Sequence, residues 1–174
     1  MPKRLCHFFL AALVALLALI SRAEAQVSVT FPTSESSMAF GIVASDVDVA
    51  GAVVLSSTTQ AVSATGGART FGGTTAAPRF RIGRGNSGGN NATTYTITWP
   101  ASFTVSNGAQ TATVNTITCS IVASTAQNAF NCTSGGTVGL RRNEYVDIRL
   151  GGSLQLPANQ ARGNYAGTLT VTAN

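Results

Sequence analysis

Apolar residues occupy every second position over short stretches of most of this chain, with threonine, serine or arginine between them. Tyr95, Ile97 and Trp99 alternate with threonines, and Phe80 and Ile82 alternate with arginines. A period of two is typical of strands that bury one face. Glycine-rich turns separate the stretches at roughly ten-residue spacing, so the pattern predicts an all-β fold built as a single antiparallel β-sandwich.

The first 25 residues follow a different pattern. An uninterrupted apolar run of 13 residues, 8–20, comes after Lys3-Arg4 and before Ala23-Glu24-Ala25, a small-x-small cleavage site. This order is that of a secretory signal peptide, and the run is shorter than the roughly 20 residues of a membrane-spanning helix. The sequence therefore predicts a signal peptide at 1–25 and a β-sandwich domain at 26–174. We expect export to the periplasm, the cell surface or the medium, with no transmembrane segment after cleavage.

Composition narrows the chemistry that the predicted domain can carry. Residues 26–174 contain no histidine and no lysine, and eight arginines against five acidic residues leave a net charge of +3. A serine nucleophile needs a neighbouring base, normally histidine. The loop 83–89 fits both G-x-G-x-x-G and G-x-S-x-G, but it leads into a strand and not a helix. We expect no enzyme activity, no catalytic residues and no cofactor, and the lack of a recognition module argues against a nucleic-acid partner.

Two cysteines remain in the predicted domain, Cys119 and Cys132, with 12 residues between them. In an oxidising compartment an even pair favours a disulfide, which would contribute about 3 kcal/mol in the chain-entropy model. Two free buried thiols are the alternative. Two thiols without histidine do not make a zinc site, and Asp46-x-Asp48 lacks the rest of a calcium-binding loop, so we expect no metal.

Half of the arginines in the predicted domain fall between positions 69 and 84. Arg79 and Arg81 share one strand face, about 7 Å apart at the rise of a β-strand, and Arg84 follows them in the chain. Guanidinium groups bind phosphate and carboxylate. Arg79, Arg81 and Arg84 are therefore a candidate face for an anionic glycan, as in an adhesin-like module. The alternative is a charged edge strand that prevents sheet-to-sheet aggregation.

The C-terminal segment is the most distinctive part of the chain. It reads Gly151-Gly152-Ser153-Leu154-Gln155-Leu156, then Ala158-Asn159-Gln160, and it closes with G-x-Y-x-G-x-L-x-V over residues 163–171. Three earlier segments share its character, namely Phe40-Gly41, Gly66-Gly67-Ala68-Arg69 and Tyr95-Thr96-Ile97-Thr98-Trp99-Pro100. With these motifs the chain, over about residues 27–174, resembles a family of secreted bacterial β-proteins known only as a domain of unknown function. That family is similar to spore-coat-U-type and chaperone–usher fimbrial subunits.

The resemblance implies an immunoglobulin-like sandwich that serves as a cell-surface building block. Such fimbrial subunits lack one strand, which the N-terminal extension of the next subunit supplies by β-strand addition. Carried over to this chain, the donor strand is 26–31, which inserts Val27, Val29 and Phe31. The acceptor edge is then 163–173, where the groove is lined by Tyr165, Leu169 and Val171. The partner would be another copy or a related subunit; alternatively, 27–31 completes its own domain in a closed monomer of structural role.

Overall fold

A computed structural model describes residues 27–30, 37–86 and 89–174, the first four as backbone only. Within this part no helix is long and apolar enough to cross a membrane. The signal peptide predicted at 1–25 and Phe31 of the predicted donor strand lie outside the described residues. The strands are β1 (Val27–Thr30), β2 (Ser37–Ser45), β3 (Gly51–Leu55), β4 (Val62–Gly66), β5 (Ala68–Thr70), β6 (Thr75–Ala76), β7 (Arg79–Arg84), β8 (Thr93–Thr98), β9 (Phe103–Ser106), β10 (Thr111–Ser124), β11 (Gly136–Leu140), β12 (Tyr145–Leu156), β13 (Gly163–Thr168) and β14 (Thr172–Ala173).

Eleven of these strands form one large sheet and three form a smaller one. The large sheet has the order β1-β7-β12-β10-β9-β13-β2-β5, while β3 pairs with β12 and β4, and β6 pairs with β2. The small sheet has the order β11-β8-β14. The pairings are antiparallel, which confirms the predicted all-β, antiparallel fold class as a sandwich or near-barrel. The immunoglobulin-like type stays a prediction.

Strand β12 pairs with three other strands of the large sheet, β10, β7 and β3. One side of β12 pairs with β10, whereas the other side pairs first with β7 through Tyr145–Arg149 and then with β3 through residues 152–156. Gly151 lies between the part of β12 that pairs with β7 and the part that pairs with β3. A Cβ atom on Gly151 would stand 2.3 Å from the carbonyl oxygen of Leu55. The glycine is therefore required for β3 to approach β12 beside the end of β7.

At Gly66-Gly67 the chain crosses from one branch of the large sheet to another. Strand β4 ends at Gly66 and pairs with β3, whereas the next strand, β5, pairs with β2. Between them Gly67 donates its N–H to the carbonyl of Ala50 (3.0 Å) and accepts at its own carbonyl from the N–H of Asp46 (2.9 Å). A Cβ on Gly67 would lie 2.1 Å from the carbonyl oxygen of Val49. Because a side chain does not fit, this crossing requires glycine, and we call Gly66-Gly67 the seam.

One continuous core contains side chains from both sheets. Ile97 and Leu140 of the small sheet and Ile82 of the large sheet are fully buried members of it. Cys119 of β10 forms a disulfide with Cys132, which precedes β11, and their Cα atoms are 5.4 Å apart. This confirms the predicted disulfide. The bond ties the large sheet to the segment that leads into the small one.

Tyr165 of β13 is fully buried, and its phenol organises a polar network at the turn before that strand. The hydroxyl donates to the carbonyl of Ala161 (3.0 Å) and accepts from the side-chain amides of Gln160 (2.7 Å) and Asn107 (3.1 Å). Through the Ala161 carbonyl the ring is bonded to the backbone four residues upstream, in the turn that leads into β13. The closing G-x-Y segment therefore fixes the path of the chain from β12 into β13.

Candidate functional site

Strand β1 lies at one end of the large sheet and, among the described strands, pairs with β7 alone. The pairing is antiparallel, with Val27 opposite Arg84 and Val29 opposite Ile82. The other side of β7 is paired with β12. Without β1, β7 would present an open edge. Val27 and Val29, two of the predicted donor residues, thus belong to a strand that is added to a sheet edge.

The predicted acceptor residues lie elsewhere in the fold. Tyr165 is part of β13, which has β2 on one side and β9 on the other and is therefore not an edge of the sheet. Leu169 and Val171 follow β13, and all three side chains are buried. The strand next to the N-terminal segment is β7, whose buried apolar residues are Phe80 and Ile82. Alternation along the chain identifies strands but not their neighbours, so the pattern alone could not select β7.

Arg79 and Arg81 share the outer face of β7, as predicted, and both bind Asp147 of β12. Arg81 donates from Nε to Oδ1 (2.7 Å) and from Nη2 to Oδ2 (2.8 Å), and Arg79 donates from Nη2 to Oδ2 (2.7 Å). The guanidinium carbon of Arg81 lies 4.1 Å from the centre of the Tyr145 ring. The Asp147 side chain is 1% exposed, compared with 30% and 48% for the two arginines. The arginines therefore cover a carboxylate on a face that otherwise meets solvent.

The geometry fixes the charge state of Asp147. Desolvation by burial is the largest single influence and acts to raise the pKa of Asp147. Hydrogen bonds and positive charge from Arg81 and Arg79 act in the other direction and together outweigh burial, so the pKa of Asp147 lies below its ordinary value. The hydrogen bond to Asp147 also raises the pKa of Arg81. At neutral pH the cluster thus holds two guanidinium ions and one carboxylate.

Arg84 does not belong to this face. Successive strand residues point to opposite sides of a sheet, and Arg84 lies an odd number of positions from the other two arginines. Its side chain turns inward, and the residue is 7% exposed. The guanidinium donates to the carbonyls of Gly89 (3.2 Å), Leu140 (3.2 Å) and Asn91. Arg84 is therefore not part of the predicted three-arginine face. Its side chain instead holds the glycine-rich loop against the end of β11.

A different arginine, Arg149 of β12, shares the outer face with Arg79 and Arg81. Arg149 lies directly opposite Arg79 and, on its other side, opposite Ser120 of β10. It takes part in none of the three salt bridges of the described residues, and its Nε is buried without a hydrogen-bond partner. Alternation through β12 places Arg149 on the same face as Asp147. Its position beside Arg79 becomes visible only once β12 is paired with β7.

Two further features of the surface stand apart from this cluster. Asp46 forms an ion pair with Arg69 (3.0 Å). In the described part of the chain, no group of three or more His, Cys, Asp or Glu side chains could hold a metal ion. A cleft of about 640 Å³ lies beside the disulfide, where Trp99 and Ile117 meet several hydroxyl-bearing side chains. Trp99 is only 8% exposed, so its ring offers little surface against which the ring of a ligand could stack.

Comparison with known families shows where the chain belongs. The family described as Domain of unknown function (DUF4402) matches residues 29–174. The match runs from within β1 to the last residue, and the chain is a member of this family. No curated protein and no solved structure matches the chain.

Proposed function

We propose that this chain is an exported, non-enzymatic structural protein of the bacterial cell surface, similar to a fimbrial or pilin-type subunit. In this proposal copies assemble when β1 of one copy adds to β7 of the next. The observation that carries it is that β1 is a peripheral strand whose pairing, among the described strands, is with β7 alone. In β-strand addition main-chain hydrogen bonds supply the affinity and alternate side chains supply the specificity.

The β7 edge has the properties of a strand acceptor. Strand β1 pairs with four of its six residues, from Arg81 to Arg84. A bare edge would expose a row of unpaired main-chain groups, which proteins cover or block. The register of the pairing depends on the two backbones and not on which copy provides β1. The same interaction therefore serves a closed monomer or an assembly.

The connection between β1 and β2 sets the balance between these two arrangements. Six residues, 31–36, join Thr30 to Ser37, and an extended segment of this length reaches at most about 25 Å. A short connection gives β1 a high effective concentration at the β7 of its own chain. Assembly is then favoured when protein concentration is high, because a neighbouring β1 competes for the same edge.

Export is the second part of the proposal. The signal-peptide pattern at 1–25 supports it, as does the disulfide, because such bonds persist in oxidising compartments outside the cytosol. The resemblance to spore-coat-U-type and fimbrial subunits supports a structural role at the cell surface. Periplasm, cell surface and medium are all consistent with these observations.

A cysteine trap tests the assembly. Ser28 lies opposite Gly83 in the β1–β7 register, and a Cβ on Gly83 would meet only ordinary contacts, the nearest at 3.6 Å. We expect the Ser28→Cys, Gly83→Cys protein, oxidised at rising concentration, to form a ladder of disulfide-linked oligomers on a non-reducing gel. The matched control pairs Ser28→Cys with Gly85→Cys, which is out of register and should cross-link far less.

The same experiment separates assembly from a closed monomer. If the in-register protein forms only the bond within one chain at every concentration, assembly through β1 is wrong and a closed monomer remains. If neither bond forms, the β1–β7 pairing itself is absent in solution. A ladder that disappears in the reduced sample and returns on oxidation is the expected result.

A second candidate function is adhesion to an anionic glycan. The specific observation that favours it is the outer face of β7 and β12, which carries three arginines, Arg79, Arg81 and Arg149, and only one carboxylate, Asp147, bonded to the first two. Binding to an acidic polysaccharide column should weaken steeply with salt, because screened charges attract less. Retention that is unchanged in the Arg79→Ser, Arg81→Ser variant would exclude this face.

A further inference from the structure

The outer face of β7 and β12 has one guanidinium more than its carboxylate can pair. Arg79 and Arg81 donate three hydrogen bonds to Asp147 and occupy both of its oxygens. Arg149 lies on the same face and makes no salt bridge within the described residues, and its Nε is buried without a partner. A desolvated N–H without an acceptor is unfavourable, more so in a charged group. The face therefore lacks a negative charge beside Arg149.

The strand register sharpens this imbalance. Arg149 lies directly opposite Arg79, and Cβ atoms of such cross-strand pairs are about 4.5–5.5 Å apart. Like charges at this separation repel each other. Asp147 is two positions away along β12, and its Oδ2 already accepts from both Arg79 and Arg81. The repulsion between Arg149 and Arg79 is therefore only partly compensated by the protein.

The other neighbour of Arg149 supplies no charge. Ser120 lies opposite Arg149 on the β10 side, and its hydroxyl donates to the carbonyl of Ser57 (2.6 Å). Of the other acidic residues described, Glu144 accepts at its carboxylate from the backbone N–H of Arg141 (2.7 Å), and Asp46 pairs with Arg69 (3.0 Å). None of the described carboxylates forms a salt bridge with Arg149, so a counterion for it would come from outside the described residues.

We propose that Arg149 and Arg79 together bind one oxyanion, a sulfate, phosphate or carboxylate group, at the outer face of β12 and β7. The planar guanidinium fork matches such groups with two parallel N–H donors, and charge-assisted bonds of this kind are strong. The inference rests on the second candidate function, glycan adhesion, and names the contact that would recognise the acidic group. Arg79 serves both ions, because only its Nη2 is used for Asp147.

A titration with inorganic sulfate tests the site directly. We would label the disulfide-bonded protein with ¹⁵N and follow the arginine Nε–H signals while sodium sulfate replaces sodium chloride at equal ionic strength. The expected result is a saturating shift of the Arg149 signal and an at least tenfold weaker sulfate affinity in Arg149→Gln. Arg149→Lys keeps the charge but loses the fork, so it should be intermediate. Arg142→Gln is the matched control, because Arg142 bonds to Asn86, and it should bind sulfate as the wild type does.

A second arm identifies the source of the anion. Retention on dextran sulfate should exceed retention on neutral dextran, and Arg149→Gln should elute at lower salt than Arg142→Gln. Equal sulfate affinity in the wild type and Arg149→Gln overturns the site, provided that both proteins melt at similar temperature. Polysaccharide binding that survives Arg149→Gln also overturns it and leaves adhesion to another surface. Sulfate binding without retention on dextran sulfate keeps the oxyanion site and overturns glycan adhesion.

Discussion

The two ends of the large sheet are covered in different ways. At one end β5 and β6 pair with β2. In the segment between β5 and β6, the N–H of Phe71 donates to the carbonyl of Ile42, and the N–H of Ile42 donates to the carbonyl of Gly72. Strand β5 follows the seam directly in the chain, and Gly67 of the seam is bonded to Ala50 and Asp46. At the other end β7 is covered by the four residues of β1, which come first among the described strands and pair with nothing else there.

The difference bears on which edge could exchange its cover in the proposed assembly. Removing β5 from β2 would break the hydrogen bonds of the seam and open the near-barrel, because β5 continues directly from β4. Removing β1 from β7 disturbs one pairing at the periphery. Strand β5 lies between β4 and β6 in the chain and cannot leave β2 without moving them, whereas among the described strands β1 has a chain neighbour, β2, on its C-terminal side alone. The proposed assembly therefore uses the end of the sheet whose cover is peripheral, whereas the other end serves the stability of the domain.

The largest effect is expected at the seam. Gly67→Ala places a Cβ 2.1 Å from the backbone carbonyl oxygen of Val49, and a backbone clash of this size forces the near-barrel to open. We expect a loss of more than about 4 kcal/mol of unfolding free energy, the range of exceptional substitutions. Urea unfolding measures it. Gly85→Ala is the control, because beyond its chain neighbours no atom of the described residues lies within 4 Å of its Cβ, and an equal loss in both variants would contradict the role of the seam.

Deletion of residues 26–31 should have the next largest effect. It removes the main-chain hydrogen bonds between β1 and β7, at about 0.5–1.5 kcal/mol each, so we expect a loss of about 2–3 kcal/mol and exposure of the β7 edge. A synthetic peptide of residues 26–36, added in excess, should restore the unfolding midpoint.

The matched control is the same peptide with Val27→Lys and Val29→Lys, which should restore less. An unchanged midpoint after the deletion would mean that β1 contributes nothing to the domain. The peptide experiment then measures directly how readily the β7 edge accepts a strand from outside the chain.

Much of the fold could be predicted from the sequence because burial is periodic along each strand. Alternation placed Phe80 and Ile82 on the inner face and Arg79 and Arg81 on the outer face, and the even number of cysteines in a domain that we expect to be exported predicted the pairing of Cys119 with Cys132. Alternation carries no information about which strands are neighbours. For this reason the prediction assigned the acceptor to the strand of Tyr165, whereas β1 lies beside β7.

The arginine cluster also shows that position along the chain does not reveal which residues are neighbours in the fold. Counting along β7 already separates Arg84 from Arg79 and Arg81 by the parity of their positions, so closeness in sequence was a poor guide to a shared face. Arg149 is 70 positions from Arg79 in the chain. The two meet only because β12 pairs with β7, and no spacing rule anticipates that register.

Asp147→Asn tests the ion cluster that supports β7. The substitution leaves Arg79 and Arg81 without their shared carboxylate, which is 1% exposed in the folded protein. Breaking a fully buried pair costs about 3–5 kcal/mol, but both arginines are partly exposed, so screening reduces the expected loss to about 1–2 kcal/mol. Asp48→Asn, at an exposed position, is the control. A loss no larger than that of the control would show that the cluster does not hold β7 to β12.

The same carboxylate makes stability depend on pH. The pKa of Asp147 is lower in the folded protein than its ordinary value, so its contribution is fully present above the unfolded-state pKa of about 3.9. It is lost as the pH falls below that value and through the lower folded-state pKa. We expect the unfolding midpoint of the wild type to fall between pH 5 and pH 3 more steeply than that of Asp147→Asn. Parallel profiles would contradict this assignment.

The smallest effect is expected at the ion pair beside the seam. Arg69 and Asp46 are 3.0 Å apart, but their side chains are 62% and 43% exposed. The hydrogen bond from Arg69 to Asp46 raises the pKa of the arginine, yet an exposed pair of this kind is screened by water and salt. We expect Asp46→Asn to shift the unfolding midpoint less than Asp147→Asn does, and the shift to vanish in 1 M sodium chloride. Because Asp46 also donates its backbone N–H to Gly67 (2.9 Å), and the substitution keeps that bond, the seam should survive. A shift as large as that of Asp147→Asn would mean that charge, and not the backbone, closes the near-barrel.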